Sequence, residues 1–176
     1  MDDTLRQIYA RIRDIPAFPR PGVVCKDITP LLRDATLFDR AVDLMAGPFR
    51  TAGITRVVAI ESRGFLLGAP IALALEAGLV PIRKPGKLPA ERGRVEYALE
   101  YGTDALEMHR DAVAGGDLVL IVDDVLATGG TAAAAGQLVR EHAGRVVGFA
   151  FLIELDFLHG RERLPGERVE ALLHYA

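Results

Sequence analysis

The segment LVLIVDDVLATGGT, residues 118–131, joins five apolar residues to two aspartates and then to a loop of small residues. Continuous apolar runs are typical of strands that are buried inside a parallel sheet. In such sheets, ligands bind outside the carboxyl ends of the strands, where the loops that lead to helices emerge. The segment therefore predicts a buried strand that ends on Asp123 and Asp124, followed by a loop at a ligand-binding edge.

The loop that follows has the composition of an anion site, and it consists of Ala127, Thr128, Gly129, Gly130 and Thr131. Glycines let a phosphate approach the backbone, and the start of the next helix offers N–H groups and a favourable dipole. The two threonine hydroxyls add donors. Because carboxylates repel a phosphate, Asp123 and Asp124 are expected to accept hydrogen bonds from sugar hydroxyls or to orient a hydrated cation. A ribose 5-phosphate meets both requirements.

Length and composition favour one enzyme-sized domain over residues 1–176. Half of the 176 residues are apolar, which is enough for a sizeable core. The 21 basic and 24 acidic residues give a net charge of −3, so neither nucleic acid nor an anionic membrane is expected as the main partner. The N-terminal segment lacks an apolar signal core, and a single cysteine excludes an internal disulfide framework. We expect a cytoplasmic protein.

Apolar runs alternate with helical patterns along the chain, which predicts the α/β class with a central, mostly parallel sheet flanked by helices. The predicted strands are RVVAI (56–60), LVPIR (79–83), LVLIV (118–122) and RVVGFAFLI (145–153). The predicted helices lie around residues 5–12, around 35–52 with a kink at Gly47 and Pro48, over 64–77 closing on Gly78, and over 131–144 with a terminal glycine. The polar stretch 84–116 is too long for a simple connection and predicts a hairpin or lid.

These motifs resemble a known family. VLIVDDVLATGGT is similar to the phosphoribosyl pyrophosphate (PRPP) binding motif of type I phosphoribosyltransferases. Four further segments, FPRPGVVCKDITPLL, IESRGFLLGAPIA, IRKPGKLP and LEYGTDALEMHRDA, resemble those of adenine phosphoribosyltransferases in order and spacing. The resemblance runs from about Ile15 to the last residue. It implies a type I phosphoribosyltransferase-like fold with a small N-terminal hood over 1–34 and a flexible lid over 84–103.

The resemblance also implies a reaction. A glycosyltransferase of this kind transfers a pentosyl group from PRPP to adenine, giving AMP and pyrophosphate in purine salvage. Departure of pyrophosphate leaves positive charge on the ribose and negative charge on the leaving group, so the site needs cations over the pyrophosphate. Two of the three lysines, Lys84 and Lys87, lie beside Arg83 directly after a predicted strand. In the family, the residues that match Arg63, Arg83 and Lys87 contact pyrophosphate.

Catalytic residues are expected in the lid and beside it. By resemblance, Glu100 exchanges a proton with the purine ring, and Tyr101 lies near the leaving group together with Arg63. Proton transfer of this kind contributes about 10²–10⁴-fold to a rate. We expect the lid over 84–103 to close and exclude water, so that PRPP reacts with the purine and not with water.

Base recognition is expected from Val24, Cys25, Lys26 and Leu126. The backbone at Val24 and Lys26 is placed to read the purine edge, and Val24 or Leu126 to press on its faces. Cys25 stands where the family usually has an aromatic residue that stacks on adenine, and a thiol cannot stack. This difference leaves transfer to hypoxanthine, guanine or xanthine open. A separate alternative is a non-catalytic PRPP-binding regulator. A regulator would need a DNA-binding module or a basic face, for which 176 residues leave little room.

Magnesium and a second copy of the chain complete the expected partners. Mg²⁺ is expected to be held mainly by PRPP or pyrophosphate oxygens and water, with Asp123 or Asp124 as candidates for its outer shell. No histidine has ligand spacing, so no metal site made of protein ligands alone is predicted, and all four histidines are interpreted as structural or solvent-facing. The resemblance implies a homodimer whose pyrophosphate pocket lies near the interface.

Overall fold

The computed structural model describes residues 2–98 and 102–176. The chain divides into two compact units, of which the first ends at Leu44 and the second runs from Met45 to Ala176. The expected single domain over 1–176, the hood over 1–34 and the lid over 84–103 stay predictions. In the described residues, no helix combines the length and the apolar character needed to cross a membrane.

The first unit contains two short helices and a two-stranded antiparallel ribbon. Its elements are α1 (Asp3–Tyr9), β1 (Arg13–Pro16), β2 (Val24–Asp27) and α2 (Thr29–Leu32). The ribbon encloses much of the proline-rich segment DIPAFPRPG, residues 14–22. Asp27 ends β2 and accepts hydrogen bonds from the Thr29 N–H at 2.9 Å and from Arg13 Nε at 3.0 Å. These bonds lower the pKa of Asp27 to about 2.

Helix α3 (Ala35–Ala46) leads from the first unit into the second and ends earlier than predicted. The predicted helix over 35–52 stops at Ala46, where a 3₁₀ turn over Gly47–Phe49 begins. Pro48 has no N–H to donate and its ring collides with the preceding turn, so the α-helix cannot continue. The break that Gly47 and Pro48 predict is confirmed.

The second unit contains β3 (Arg56–Ile60), α4 (Arg63–Ala74), β4 (Gly78–Ile82), β5 (Arg92–Ala98), β6 (Thr103–His109), β7 (Leu118–Leu126), α5 (Gly130–Glu141), β8 (Arg145–Leu155) and β9 (Val169–Tyr175). Five of these strands form a parallel sheet in the order β4-β3-β7-β8-β9. Strands β5 and β6 form an antiparallel hairpin, and Arg83 pairs with Glu107 to join that hairpin to the end of β4. The parallel α/β sheet and the hairpin are confirmed.

Several predicted boundaries were wrong. Strand β7 continues through Asp123 and Asp124 to Leu126, because Asp123, Val125 and Leu126 keep pairing with β8. Helix α4 ends at Ala74, not at Ala77, and the left-handed residue after it is Glu76 (φ 54°) and not a glycine. The edge strand β9 was not predicted at all, because its polar and apolar residues form no continuous apolar run.

The left-handed residue after α5 is also not a glycine. Ala143 has φ 63°, and the predicted terminal glycine, Gly144, follows it. Gly144 is needed for space, since a Cβ there would lie 2.4 Å from Val113 Cγ1. At the end of α5, packing and not backbone conformation therefore requires glycine.

The strand order creates a crevice between β3 and β7. From β3 the chain passes through α4 to β4 on one side, whereas from β7 it passes through α5 to β8 on the other. Right-handed crossovers in opposite directions put α4 and α5 on opposite faces of the sheet. Ligands bind at such a switch point, outside the carboxyl ends of the two strands. Because all five strands run in the same direction, the β3–α4 turn and the β7–α5 loop both lie at this edge of the sheet.

Candidate active site

A pocket lies at the carboxyl end of β7, around the loop that the sequence predicts to bind phosphate. It is lined by Asp123, Val125, Leu126, Ala127, Thr128, Gly129, Gly130, Thr131, Ala132 and Phe151. Gly129 has φ 80° and immediately precedes α5. A Cβ at Gly129 would lie 2.2 Å from the carbonyl oxygen of Gly160, so only glycine meets both conditions. The loop therefore presents the backbone at the start of a 12-residue helix.

The turn over Gly160–Arg163, which the sequence did not point to, packs against this loop. A Cβ at Gly160 would lie 2.3 Å from the carbonyl oxygen of Ala127, so the two backbones touch. The next residue, Arg161, holds the turn in place: its Nη2 lies 2.7 Å from Oε2 of the buried Glu154, and its Nη1 donates to the Val169 carbonyl at 2.8 Å. No sequence signal marks Glu154 and Arg161, because their pairing depends on how the 3₁₀ turn over Gly160–Arg163 folds back on the end of β8.

The two aspartates differ in exposure and share a raised pKa. Asp123 is partly exposed and lines the pocket, whereas Asp124 is 5% exposed. The Asp124 N–H donates to Asp123 Oδ1 at 2.8 Å. Burial and then the charge of Asp124 raise the pKa of Asp123 well above its ordinary value. Burial also raises the pKa of Asp124, although the charge of Arg63 opposes the rise.

The β3–α4 turn lies directly against this pair. A Cβ at Gly64 would lie 2.8 Å from Asp123 Oδ1, so the helix start and the aspartate are in close contact. Arg63 Nε lies 2.8 Å from Asp124 Oδ2 without forming a hydrogen bond, and that oxygen is a buried acceptor with no hydrogen-bond partner among the described residues. The Arg63 side chain is 44% exposed, so its guanidinium also reaches solvent.

Glu61 gathers the basic residues that follow β4. Its carboxylate, 9% exposed, accepts hydrogen bonds from the Lys84 N–H at 2.6 Å, from Arg83 Nε at 3.3 Å and from Lys87 Nζ. Burial alone would raise the pKa of Glu61, but the hydrogen bonds from Lys87 and Lys84 and the nearby charges outweigh it, and the pKa is lowered. Arg83 and Lys87 are thus brought together around one carboxylate.

Lys84 belongs to a different set of contacts. Its Nζ pairs with Asp104 and lies 3.1 Å from the hydroxyl oxygen of Tyr97. The same hydroxyl lies 3.2 Å from Oγ1 of Thr131 in the predicted phosphate loop. Sequence reasoning did not identify Tyr97 or Asp104, since only the pairing of β5 with β6 places them opposite each other.

Comparison with known proteins agrees with these features. Residues 31–165 match the family model described as the phosphoribosyl transferase domain. The adenine phosphoribosyltransferase of Myxococcus xanthus is 58% identical over 175 residues, covering 99% of this chain and 95% of the relative. A crystal structure of the adenine phosphoribosyltransferase of Rhodothermus marinus superposes with a TM-score of 0.95 at 51% identity, covering 98% of each chain.

The chain belongs to the adenine phosphoribosyltransferase family. Its type I phosphoribosyltransferase fold is therefore shown, as the sequence predicts. A further family member, from Saccharomyces cerevisiae, is 40% identical with a TM-score of 0.92, covering 98% of this chain and 100% of that one. Its crystal structure is a complex with a dideoxy-imino-altritol bisphosphate and adenine.

The remaining predicted site residues lie in β2, at the end of β7 or outside the described residues. Glu100 and Tyr101 are outside the described residues. In β2, Val24 is 49% exposed, Cys25 is a partly buried free thiol, and Lys26 forms an ion pair of 2.7 Å with Asp14. In the second unit, Leu126 lines the pocket wall although its side chain is only 1% exposed.

The histidines show varied environments. His109 Nε2 accepts the Ala90 N–H at 3.3 Å, and the ring of His142 bonds the Leu138 carbonyl at 2.8 Å. His174 lies 3.0 Å from Asp156 and 3.7 Å from Glu154, three donors close enough together to hold a metal ion. Arg161 already occupies the Glu154 carboxylate, and its cation opposes a second one there.

Proposed function

We propose that the protein transfers the 5-phosphoribosyl group of PRPP to adenine, giving AMP and pyrophosphate. The observation that carries this proposal is the pocket around residues 123–132, in a chain of the adenine phosphoribosyltransferase family. In the reaction, the bond from the anomeric carbon to pyrophosphate breaks and a bond to a purine nitrogen forms. The purine gives up the proton of its other imidazole nitrogen.

The 5-phosphate is assigned to the backbone of the pocket loop, at Ala127, Thr128, Gly129, Gly130 and Thr131. This assignment is supported by the left-handed Gly129 at the start of α5 and by the small side chains around it. Unpaired N–H groups at a helix N-terminus favour an anion. The threonine hydroxyls supply further donors to the phosphate oxygens.

The ribose is assigned to Asp123 and Asp124. Asp123 faces the pocket, and its oxygens can accept hydrogen bonds from the ribose hydroxyls. Both carboxyls are costly to ionise in this buried setting, which is why the cation of Arg63 beside Asp124 matters. A carboxylate beside the ribose also stabilises the positive charge that develops as pyrophosphate leaves.

The pyrophosphate is assigned to Arg63, Arg83 and Lys87. The support is that Arg83 and Lys87 share the Glu61 carboxylate while their side chains stay 34% and 46% exposed. Held from one side by Glu61, their remaining N–H groups are oriented and able to bind an anion. Preorganised cations of this kind contribute most where charge develops in the transition state.

Glu100 and Tyr101 are assigned to proton transfer and to the leaving-group side of the lid, on the strength of the family resemblance. For the base, the proposal uses Val24, Cys25 and Lys26 of β2, together with Leu126. The Saccharomyces cerevisiae relative, 40% identical, binds adenine. Cys25 in place of an aromatic residue supports one second candidate, transfer to another purine.

Magnesium is part of the proposal. The residues fit a hydrated Mg²⁺, because Asp123 faces the pocket and the orphaned Oδ2 of Asp124 is an oxygen ligand of the kind this ion prefers. Arg63 beside Asp124 favours an outer-shell over a direct contact. When bound through PRPP, the ion neutralises charge on the pyrophosphate.

A homodimer and a cytoplasmic location complete the proposal. Leu66 and Leu73 lie seven residues apart on α4 and are 49% and 82% exposed, and Leu79 of β4 is 45% exposed. These side chains supply an apolar surface for a second copy. The single free cysteine suits a reducing compartment. A light-scattering mass of twice the 19.0 kDa chain would support the dimer.

The proposed function is tested by pyrophosphate release from PRPP and Mg²⁺ with adenine, hypoxanthine, guanine, orotate or no base. Release with adenine alone is expected. Release with another purine alone would identify that purine, and not adenine, as the acceptor. No release with any base would favour a non-catalytic regulator. A variant with Lys87→Met should release pyrophosphate with kcat/KM lowered about 10²-fold, whereas Arg94→Gln should keep the wild-type rate, because Arg94 is exposed and pairs with Glu96.

A further inference from the structure

Tyr97 connects the β5–β6 hairpin to the proposed phosphate loop, Ala127–Thr131. Its Cδ2 lies 3.6 Å from the position of a Cβ at Gly130, so the ring packs against the first residue of α5. Its hydroxyl oxygen lies 3.2 Å from Thr131 Oγ1.

The Tyr97 hydroxyl has two further polar neighbours. Lys84 Nζ lies 3.1 Å from it and Asp104 Oδ2 lies 3.3 Å from it, and Lys84 also pairs with Asp104. Burial alone would lower the pKa of Lys84, but its bonds to Asp104 and Tyr97 raise it, so the amine is charged. A charged amine only donates and a carboxylate only accepts. The single Tyr97 hydrogen therefore has two possible acceptors, Asp104 and Thr131.

Thr131 faces the same choice. Its hydroxyl carries one hydrogen, which it donates to Tyr97 in the arrangement with Tyr97 donating to Asp104. To donate to a phosphate, Thr131 must withdraw that hydrogen, and its oxygen then becomes free to accept from Tyr97. The two Tyr97 oxygen distances, 3.2 Å to Thr131 and 3.3 Å to Asp104, permit this exchange by hydroxyl rotation alone.

Both carboxylate oxygens of Asp104 keep a hydrogen-bond donor in this exchange. Its Oδ2 keeps the Lys84 ammonium, and its Oδ1 keeps the Ala105 N–H at 2.8 Å. The reversed chain then runs from the Lys84 cation through Tyr97 and Thr131 toward the phosphate, with every donor aligned. Aligned hydrogen bonds polarise one another, which makes Thr131 a stronger donor.

We propose that Tyr97 is a positioning residue for the phosphomonoester of the substrate, acting through Thr131 by reversing a hydroxyl chain that begins at Lys84. The proposal rests on the assignment of the 5-phosphate to the loop under the proposed function. It adds that occupancy of the loop is coupled to the end of the β5–β6 hairpin. Pyrophosphate, assigned to other residues, is outside this coupling.

The test uses Tyr97→Phe, which keeps the ring against Gly130 and removes the hydroxyl. Calorimetry with ribose 5-phosphate should show a dissociation constant raised about three- to tenfold, the usual effect of one lost hydrogen bond. The dissociation constant for pyrophosphate with Mg²⁺ should stay within about twofold of the wild-type value. The lost hydroxyl is neutral and belongs to none of the residues assigned to pyrophosphate. Equal weakening of both ligands would overturn the proposal.

A double-mutant cycle separates action through Thr131 from a general structural role. In a Thr131→Val background, adding Tyr97→Phe should change ribose 5-phosphate binding by less than about twofold, because coupled residues are not additive. In Thr131→Ser, which keeps a hydroxyl, the three- to tenfold effect should return. An effect of the same size in the valine background would overturn the proposal.

Lys84→Met provides a second variant at the other end of the chain. It should weaken ribose 5-phosphate binding more in the wild-type background than in Thr131→Val, where only the direct attraction between the ammonium and the phosphate is lost, and the same loss in both would contradict the relay. Wild-type protein that binds no ribose 5-phosphate would remove the proposed phosphate site and the relay with it. Wild-type binding that Tyr97→Phe leaves unchanged would remove the relay alone.

Discussion

The phosphate loop and the basic cluster are built in different ways. The phosphate loop, proposed to bind the 5-phosphate, is Ala127–Thr131, and the basic cluster is Arg83, Lys84 and Lys87 with their carboxylate partners. The loop is shaped by backbone, since Gly129 and Gly160 touch where no Cβ fits. The cluster is shaped by side chains, since Glu61 and Asp104 divide the cations between them. A site made of backbone tolerates little change, whereas a site made of ion pairs can be altered one charge at a time.

The largest effect is expected at the loop, from Gly129→Ala. The new methyl group would lie 2.2 Å from the Gly160 oxygen, at φ 80°, so the loop must move. Because displacements of about 1 Å can cost about 10²-fold in rate, we expect kcat/KM for PRPP to fall at least about 100-fold. Steady-state kinetics measure this change.

Gly116→Ala is the matched control for that substitution. Gly116 also has a positive φ, 98°, but nothing lies within 4 Å of an added Cβ. It carries the backbone strain without the collision, so its activity should stay near the wild-type value. If both variants lost activity equally, strain and not close approach would explain the loop.

In the basic cluster, Lys87→Met and Lys84→Met should differ although the residues are three apart in sequence. Lys87 is assigned to pyrophosphate, and loss of a cation at developing charge costs about 10²-fold in kcat/KM. Lys84 is held by Asp104 and Tyr97, so its loss should cost less than about tenfold. Equal losses would mean that the cluster acts as an undivided patch of charge.

Glu61→Gln tests whether the cluster is organised by its carboxylate. We expect the free energy of unfolding at pH 7 to fall by about 2 kcal/mol, because charged hydrogen bonds are replaced by weaker ones. The folded-state pKa of Glu61 lies below its ordinary 4.5, so this stability is present above that value and is lost as pH falls through the lowered pKa. Urea denaturation from pH 7 downward should show the two proteins converging.

Glu96→Gln is the control for that charge. Glu96 is exposed on the hairpin and pairs with Arg94 alone among the described residues, so the change should cost less than about 0.5 kcal/mol. A Glu61 variant as stable as this control at pH 7 would contradict an organising role for Glu61.

The smallest effect, of opposite sign, is expected at the loop from Asp123→Asn. The folded-state pKa of Asp123 is raised, so the protonated carboxyl stabilises the fold at low pH and that stability is lost as pH rises through the raised pKa. Without ligand, the asparagine variant should be more stable than wild type at pH 7 and should lack that downward slope. Asp111→Asn, at an exposed position, serves as the control. If the fall in the free energy of unfolding with rising pH survived Asp123→Asn, another group would be responsible for it.

The contrast also explains which features were predictable. The loop and its strand are contiguous, so apolar run, aspartates and glycines appear in one segment and predict one site. The partners of the basic residues lie far along the chain: Glu61 is 26 residues from Lys87 and Asp104 is 20 residues from Lys84. Neither pairing leaves a local signal, and the turn at Gly160 leaves none either.

The sequence by itself determined the α/β class, the parallel strands and the position of the glycine-rich loop before α5, because buried strands and glycine-rich helix starts have local patterns. It also determined membership in the adenine phosphoribosyltransferase family. Only the tertiary structure decided that Arg161 and Gly160 support the loop, that Glu61 organises Arg83 and Lys87, and that Tyr97 joins Lys84 to Thr131. These contacts depend on strand order and hairpin pairing, which bring together residues that no local pattern connects.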